Sequence, residues 1–363
     1  MRGLGRPNWT AVAPPAALLA LLVAIVRTPG SVGLVLVALV LGAAVLAAVH
    51  HAEVVAHRVG EPYGSLVLAV AVTVIEVALI LTLMLGGGPD TSVLARDTVF
   101  AAVMITCNGI VGLSLLVGAV RYGTTHFNAE GTGAALATVI TLATTCLVLP
   151  TFTTTTPGPE FSGSQLTFAA VASLALYGMF VVTQTVRHRD FFLPVSEHGE
   201  VLLEEEHAGR PSSRRALVSL GLLVVSLVAV VGLAKIESKP IEKAVTGLGL
   251  PQAVVGVVIA LLVLLPESIA ALRAARRGST QISLNLGLGS AMASIGLTIP
   301  TIAVASIWLD GPLELGLEPT HVVLLALTAV VSVLTVVPGR ATRLQGGVHL
   351  VVLAGYLVLS VQP

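Results

Sequence analysis

Apolar residues in this chain fall in long unbroken blocks, each close to the ~20 residues that cross a bilayer core as a helix. Eleven blocks can be marked: 10–27, 31–50, 64–85, 98–119, 132–152, 165–186, 215–234, 251–272, 282–308, 320–338 and 345–361. The first contains PPAALLALLVAIV (14–26) behind two arginines, as a secretory signal would. No small-x-small cleavage site follows and a second block begins at once, so it reads as a retained helix. Short connectors rich in Gly, Pro and polar residues separate the blocks, such as GGGPD (86–90) and DGPLELGLEP (310–319). One connector is long: 187–215 carries three consecutive glutamates, Glu204–Glu206, and divides the chain near its middle. In lipid each backbone N–H and C=O must be satisfied within its own segment, and the blocks lack the alternation of barrel strands. The pattern predicts an all-α polytopic membrane protein of about eleven transmembrane helices.

The two halves rhyme. EVVAHRVGEP (53–62) precedes a block carrying Glu76, and EKAVTGLGLP (242–251) precedes one carrying Glu267; each is a Glu, eight residues, then a Pro. The block after each glutamate holds an amide, at Asn108 and Asn285. With eleven spans the Glu76 and Glu267 blocks cross in opposite directions, the pattern of an inverted repeat, which places a shared site near the midplane. The long acidic connector, 187–214, then parts the two repeats, one before it and one in 215–363.

Composition agrees: 55% of residues are hydrophobic and 10% charged, which excludes an ordinary soluble domain. The formal net charge of zero gives no reason to expect a nucleic-acid partner. Cys107 and Cys146 lie in apolar blocks and read as small buried residues rather than a disulfide or a metal cluster. With the N-terminus inside, fourteen of the nineteen Lys and Arg fall in cytoplasmic segments and five outside, as the positive-inside rule expects. That orientation puts the N-terminus in the cytoplasm, and the odd number of spans puts the C-terminus outside.

Of nineteen acidic residues, seventeen fall in connectors or at block ends; Glu76 and Glu267 alone lie deep inside an apolar block. An acidic or basic side chain at a helix centre costs ~2.5–3.5 kcal/mol on insertion scales, so a partner charge, a proton or a bound cation must offset it. His50 and His51 beside Glu53 read as interfacial residues, and Glu204–Glu206 as a solvated loop.

AEVVAHRVGEPYGSLVLAVAVTVIEVALI (52–80) and PESIAALRAARRGSTQISLNLGLGSAMASIGLTIP (266–300) resemble the bacterial calcium/proton antiporters of the cation/calcium exchanger superfamily. The resemblance covers nearly the whole chain and implies the same plan, one extra helix and two five-helix repeats joined by an acidic loop. It implies that Glu76 and Glu267 hold a central cation, with Asn108 and the Ser290 and Ser294 region completing the site. The chain departs from the family's Gly-Asn-x-x-Glu signature: Val72 and Thr73, then Val263 and Leu264, stand at the Gly-Asn positions, and Ser268 follows the second glutamate where His is common.

The chemistry fits that plan. Ca2+ takes six to eight oxygens at ~2.3–2.6 Å. Glu76 and Glu267 supply the charge, while Asn108, Asn285, Thr73, Ser290 and Ser294 offer neutral oxygens. Pro266 and the glycines at 287, 289 and 296 are expected to release backbone carbonyls toward the site. Two nearby carboxylates bind either protons or a cation, so Glu76 and Glu267 also carry proton coupling. The expected function is Ca2+/H+ exchange, with inorganic cations and protons as cargo, the lipid bilayer as surroundings and no cofactor. A sodium or potassium/proton antiporter on the same scaffold is the alternative. An intramembrane enzyme or a cation channel is the alternative of another class, and nothing in the sequence beyond the paired acids supports either.

Overall fold

The computed structural model of the protein describes residues 9–60, 63–85, 91–195, 211–308 and 311–362. Eleven helices run through the described residues. They are α1 (Trp9–Val26), α2 (Ser31–Val59), α3 (Tyr63–Met84), α4 (Leu94–Tyr122), α5 (Ala129–Phe152), α6 (Gly163–Arg187), α7 (Ser213–Gly247), α8 (Ala253–Arg276), α9 (Thr280–Ala305), α10 (Pro319–Val336) and α11 (Arg343–Val361). Ten are long and apolar enough to cross a membrane; in α3 the apolar run counted among the described residues is shorter, Val70–Met84. Each apolar block of the sequence is thus a helix. The GGGPD connector, Pro62, Glu204–Glu206 and Asp310 lie outside the described residues.

Two helices outrun their apolar blocks. α2 has 29 residues and continues past residue 50 to Val59; α7 has 35 and continues past 234 to Gly247. Hydropathy marks where a helix leaves the hydrocarbon, whereas propensity and stop signals decide where it ends. Gly60 stops α2 with φ of 78°, and Gly249, at φ 67°, stands just beyond α7, followed by Pro251. At ~1.5 Å per residue α7 is about 52 Å long, against ~30 Å of hydrocarbon. EVVAHRV and EKAVTG, the matched stretches of the two halves, are the last turns of these two long helices.

The described chain packs as two compact units. One gathers α1, α2, α3 and α7, and its largest contact is α2 on α7, with α1 and α3 each against both. The other gathers the remaining seven helices: α9 packs on α5, α6 and α8, and α4 packs on α8 and α11. The first helices of both sequence halves, α2 and α7, therefore share a unit. Within the larger unit, Thr125–His126 pairs antiparallel with Arg340–Ala341, and Glu160 bridges to Glu314. The first pairing joins the α4–α5 and α10–α11 connectors, the second the α5–α6 and α9–α10 connectors.

Close approach of α4 and α11 depends on glycine. A methyl group at Gly346 would lie 2.6 Å from Leu116 N and 2.8 Å from the Gly112 carbonyl oxygen. One at Gly112 would lie 2.7 Å from His349 Cβ. Backbone cannot yield as a flexible side chain can, so Gly346→Ala is expected to destabilise the protein by about 1–3 kcal/mol. Gly347→Ala, with nothing within 4 Å of the new carbon, should stay within about 0.5 kcal/mol of the parent. Unfolding midpoints of the two variants in detergent check this; equal midpoints would remove the glycine seam.

Candidate functional site

In the smaller unit, α3 carries Thr73 and Glu76 three residues apart, hence neighbours on one helix surface. Both are buried, Glu76 to 4% exposure, among Ile75, Leu79 and Ile80 of the same helix. The unit holds a second buried carboxylate that the apolar blocks did not reveal. Glu237 lies on α7 just beyond the block that ended at 234; it is buried, and its Oε1 has no hydrogen-bond partner among the described residues.

In the larger unit, Glu267 lies inside α8 directly after Pro266 and is 8% exposed. Lacking an N–H, Pro266 leaves the Leu262 carbonyl without its helical donor. Hydrogen bonds fix the heights of the neighbouring helices. The Ser283 hydroxyl of α9 donates to the Ala271 carbonyl at 2.8 Å and bonds the Ser114 hydroxyl of α4. A carbon at Gly287 would lie 3.1 Å from Ile110 and 3.8 Å from the Thr106 carbonyl oxygen. One turn from Ala271 toward the helix start is Glu267, and one turn from Ser283 is Gly287. Glu267 therefore sits level with Gly287 and Ile110.

At that level α4 is irregular: Ile105–Ile110 forms a π-helical turn, in which the Val111 N–H reaches the Thr106 carbonyl as well as that of Asn108. π-turns loosen the backbone ladder and recur at functional sites. The expected release of carbonyls by the glycines of α9 is not what the structure shows. α9 is a continuous helix from Thr280 to Ala305; Gly287 admits Ile110 and Gly296 admits Tyr177 of α6. Glycine serves there for proximity, and the backbone irregularity falls on α4.

The remaining sequence-predicted residues separate into two groups. Ser290 and Ser294 continue the stripe of Ser283 and Gly287 at helical spacing, Ser290 about one turn and Ser294 about 10 Å beyond the level of Glu267. Asn108 and Asn285 lie on opposite faces of their helices from this stripe. Asn108, fully buried, donates to the Thr328 hydroxyl at 2.9 Å, and its Oδ1 stands 3.3 Å from His349 Nδ1. Asn285 donates to the Phe192 carbonyl at 2.7 Å and accepts from Gln281 at 2.8 Å. Counted from its helix start, Ser294 rather than Asn285 occupies the place on α9 that Asn108 occupies on α4. Ser268 returns its hydroxyl to the Leu264 carbonyl of its own helix.

Several buried polar residues were not singled out from the sequence. His349, whose Nε2 stands 3.2 Å from the Thr335 hydroxyl, extends the Asn108 network across α4, α10 and α11. Arg96 pairs with Asp97 at 2.7 Å in the first turn of α4, both buried, and reaches Glu318 at 3.6 Å. With His321 they line a cavity of ≈ 280 Å³ at the start of α8. A lone His inside an apolar block, as in GGVHLVVL, was the legible signal for His349; nothing in the sequence distinguished Arg96 and Asp97 from ordinary span-end charges. Among the described residues no group of three or more His, Cys, Asp or Glu could hold a metal ion. A cation at Glu76 or Glu267 would therefore take most of its shell from neutral oxygens.

Comparison with known proteins extends this geometry. The family model described as "Sodium/calcium exchanger protein" matches residues 30–186 and 218–362. The y4hA protein of Sinorhizobium fredii, which carries the name of an ionic transporter, is 48% identical over 324 residues, 88% of this chain and 86% of its own. The sodium-potassium/proton antiporter ChaA of Escherichia coli is 35% identical over 311 residues, 85% of this chain and 83% of its own. The solved structure of native YfkE superposes with a TM-score of 0.70 at 14% identity, covering 98% of this chain and 100% of that one, and shares its fold.

The hydrogen bonds of the two amides imply structural roles that can be measured. Asn108→Ala strands Thr328 and His349 in a fully buried network, and Asn285→Ala strands the Phe192 carbonyl. Each is expected to cost about 1–3 kcal/mol in detergent unfolding, whereas Ser290→Ala should cost under about 0.5 kcal/mol. Parental stability in both alanine variants of Asn would contradict these bonds.

Proposed function

This chain belongs to the sodium/calcium exchanger protein family, and from that membership we propose a secondary cation/proton antiporter in which Glu76 and Glu267 bind cation and protons in alternation. The observation that carries the reading is a buried carboxylate midway along each of two corresponding helices, α3 and α8. An ionised carboxylate deep in an apolar helix is costly; protonation or a bound cation lowers that cost. The empty, ionised state is thus the least populated, and loading one cargo accompanies release of the other. That exclusion is the minimum an antiporter needs. Thr73, Ser290 and Ser294 and the Leu262 carbonyl are the proposed neutral ligands. Asn108 and Asn285 hold helices together in this reading.

Correspondence of the halves is part of the proposal. It is supported by the overlong α2 and α7, by the two pairings of connectors, and by Ser294 standing where Asn108 stands. The protein is a multi-pass membrane protein; the excess of basic residues on one side supports an inner-membrane placement with a cytoplasmic N-terminus. Ca2+ is the first reading of the cargo, since two carboxylates balance one divalent ion. Na+ or K+ is the second, favoured by the 35% identity to a protein named as a sodium-potassium/proton antiporter.

Transport in acid-loaded everted vesicles separates these. Added Ca2+ is expected to release the stored protons, and Glu76→Gln or Glu267→Gln to abolish release while the protein still inserts, because an amide is cheaper to bury than a carboxylate. Release by Na+ or K+ alone would move the assignment to the second reading; wild-type rates in either variant would remove that glutamate.

The pH dependence has a definite sign. Protonated carboxylates cannot hold the cation, so apparent Ca2+ affinity should strengthen as pH rises and level off once both glutamates are ionised. Calorimetry in buffers of different ionisation enthalpy should count up to two protons released per ion at acid pH. Affinity flat with pH and no proton release would sink the shared exchange of cargo.

A further inference from the structure

A second polar cavity lies in the smaller unit, away from Glu76. It measures ≈ 340 Å³ and is lined by the start of α1 (Thr10), the later part of α2 (His50, His51) and the start of α7 (Ser212, Arg214, Arg215). Arg58, near the end of α2, donates to the Ser213 hydroxyl at 2.8 Å beside it. Among the described residues an acid, Glu53, stands 4.0 Å from His50, against Arg58, Arg214 and Arg215 around the cavity. α7 also begins here, so the positive end of a 35-residue helix adds to the field.

His51 is the independent sign of a ligand. It is 4% exposed, and its Nε2 stands 2.9 Å from the Thr10 carbonyl oxygen, leaving Nδ1 buried with no hydrogen-bond partner. A buried ring nitrogen without a partner is costly. Nδ1 can accept from a hydroxyl of a bound group or donate to one of its oxygens, according to the form of the ring. Arginine side chains and helix-start N–H groups beside that unpartnered nitrogen make a receptor for a phosphate group.

We propose that this cavity binds a phosphate group, through Arg214, Arg215 and His51. Its position at helix ends, beside the exposed Trp9 that opens α1, puts it at the polar boundary of a bilayer, where basic pockets between transmembrane helices take anionic lipid headgroups. An anionic phospholipid is accordingly the expected source, and free phosphate shares the same chemistry.

The unfolding midpoint of the purified full-length protein in detergent, titrated with phosphatidylglycerol, phosphatidylcholine or inorganic phosphate, tests the assignment. Phosphatidylglycerol should raise the midpoint saturably and phosphatidylcholine should not. The double variant Arg214→Gln/Arg215→Gln should weaken the apparent affinity by at least ~10-fold. Arg276→Gln/Arg277→Gln, an exposed pair at the end of α8, should leave it unchanged. Millimolar inorganic phosphate that reproduces the shift, with the same loss in the first variant, identifies the free ion as the source and upholds the site. No shift in the parent protein, or equal losses in both double variants, overturns it.

Discussion

An ionised carboxylate has almost no tolerable place in hydrocarbon, and that constraint organises this molecule. Fifty-five per cent of the chain is apolar, and the helices are built to be surrounded by lipid and by one another. Glu76 and Glu267 are admitted to the middle of such helices. In the proposed mechanism, exchanging a proton for a cation at these sites does work across the membrane. In the proposed mechanism the energetic penalty is the coupling: neither cargo leaves without the other replacing it.

Around Glu267 the protein separates rigidity from adaptability. Asn108, Thr328, His349 and Thr335 bind α4, α10 and α11 through side chains, and Gly112 and Gly346 bring α4 and α11 into backbone contact. The π-turn that contains Asn108 also stands level with Glu267, where Gly287 lets α9 approach α4. Pro266 frees a carbonyl on α8. A transported ion must be held briefly and released, and oxygens from hydroxyls and loosened backbone suit that better than a closed cage of charged ligands.

The sequence was most informative where a single physical rule governs many residues. Backbone satisfaction in lipid makes an apolar block of twenty residues a helix irrespective of its neighbours, so every block reappears as one. The same rule made two charged residues conspicuous in their blocks, and membership in the exchanger family agrees with the resemblance those stretches carry. It was uninformative about helix ends. Hydropathy could not show that α2 and α7 continue through EVVAHRV and EKAVTG, nor that Asp97 on α4 and Glu237 on α7 are buried.

What the sequence determined by itself is the class of fold, the blocks that cross, and the two acids whose burial demands an explanation, because burial cost depends on residue type and position within a block. Which face of a helix a residue occupies depends instead on which helices become neighbours. Asn108 and Asn285 looked alike from the sequence, as amides in blocks that follow a glutamate. Only the packing of α10 and α11 on α4, and of α5 and the turn at Phe192 on α9, decided that their hydrogen bonds run away from Glu267. The burial of His349 is decided likewise, since its ring meets Asn108, 241 positions away.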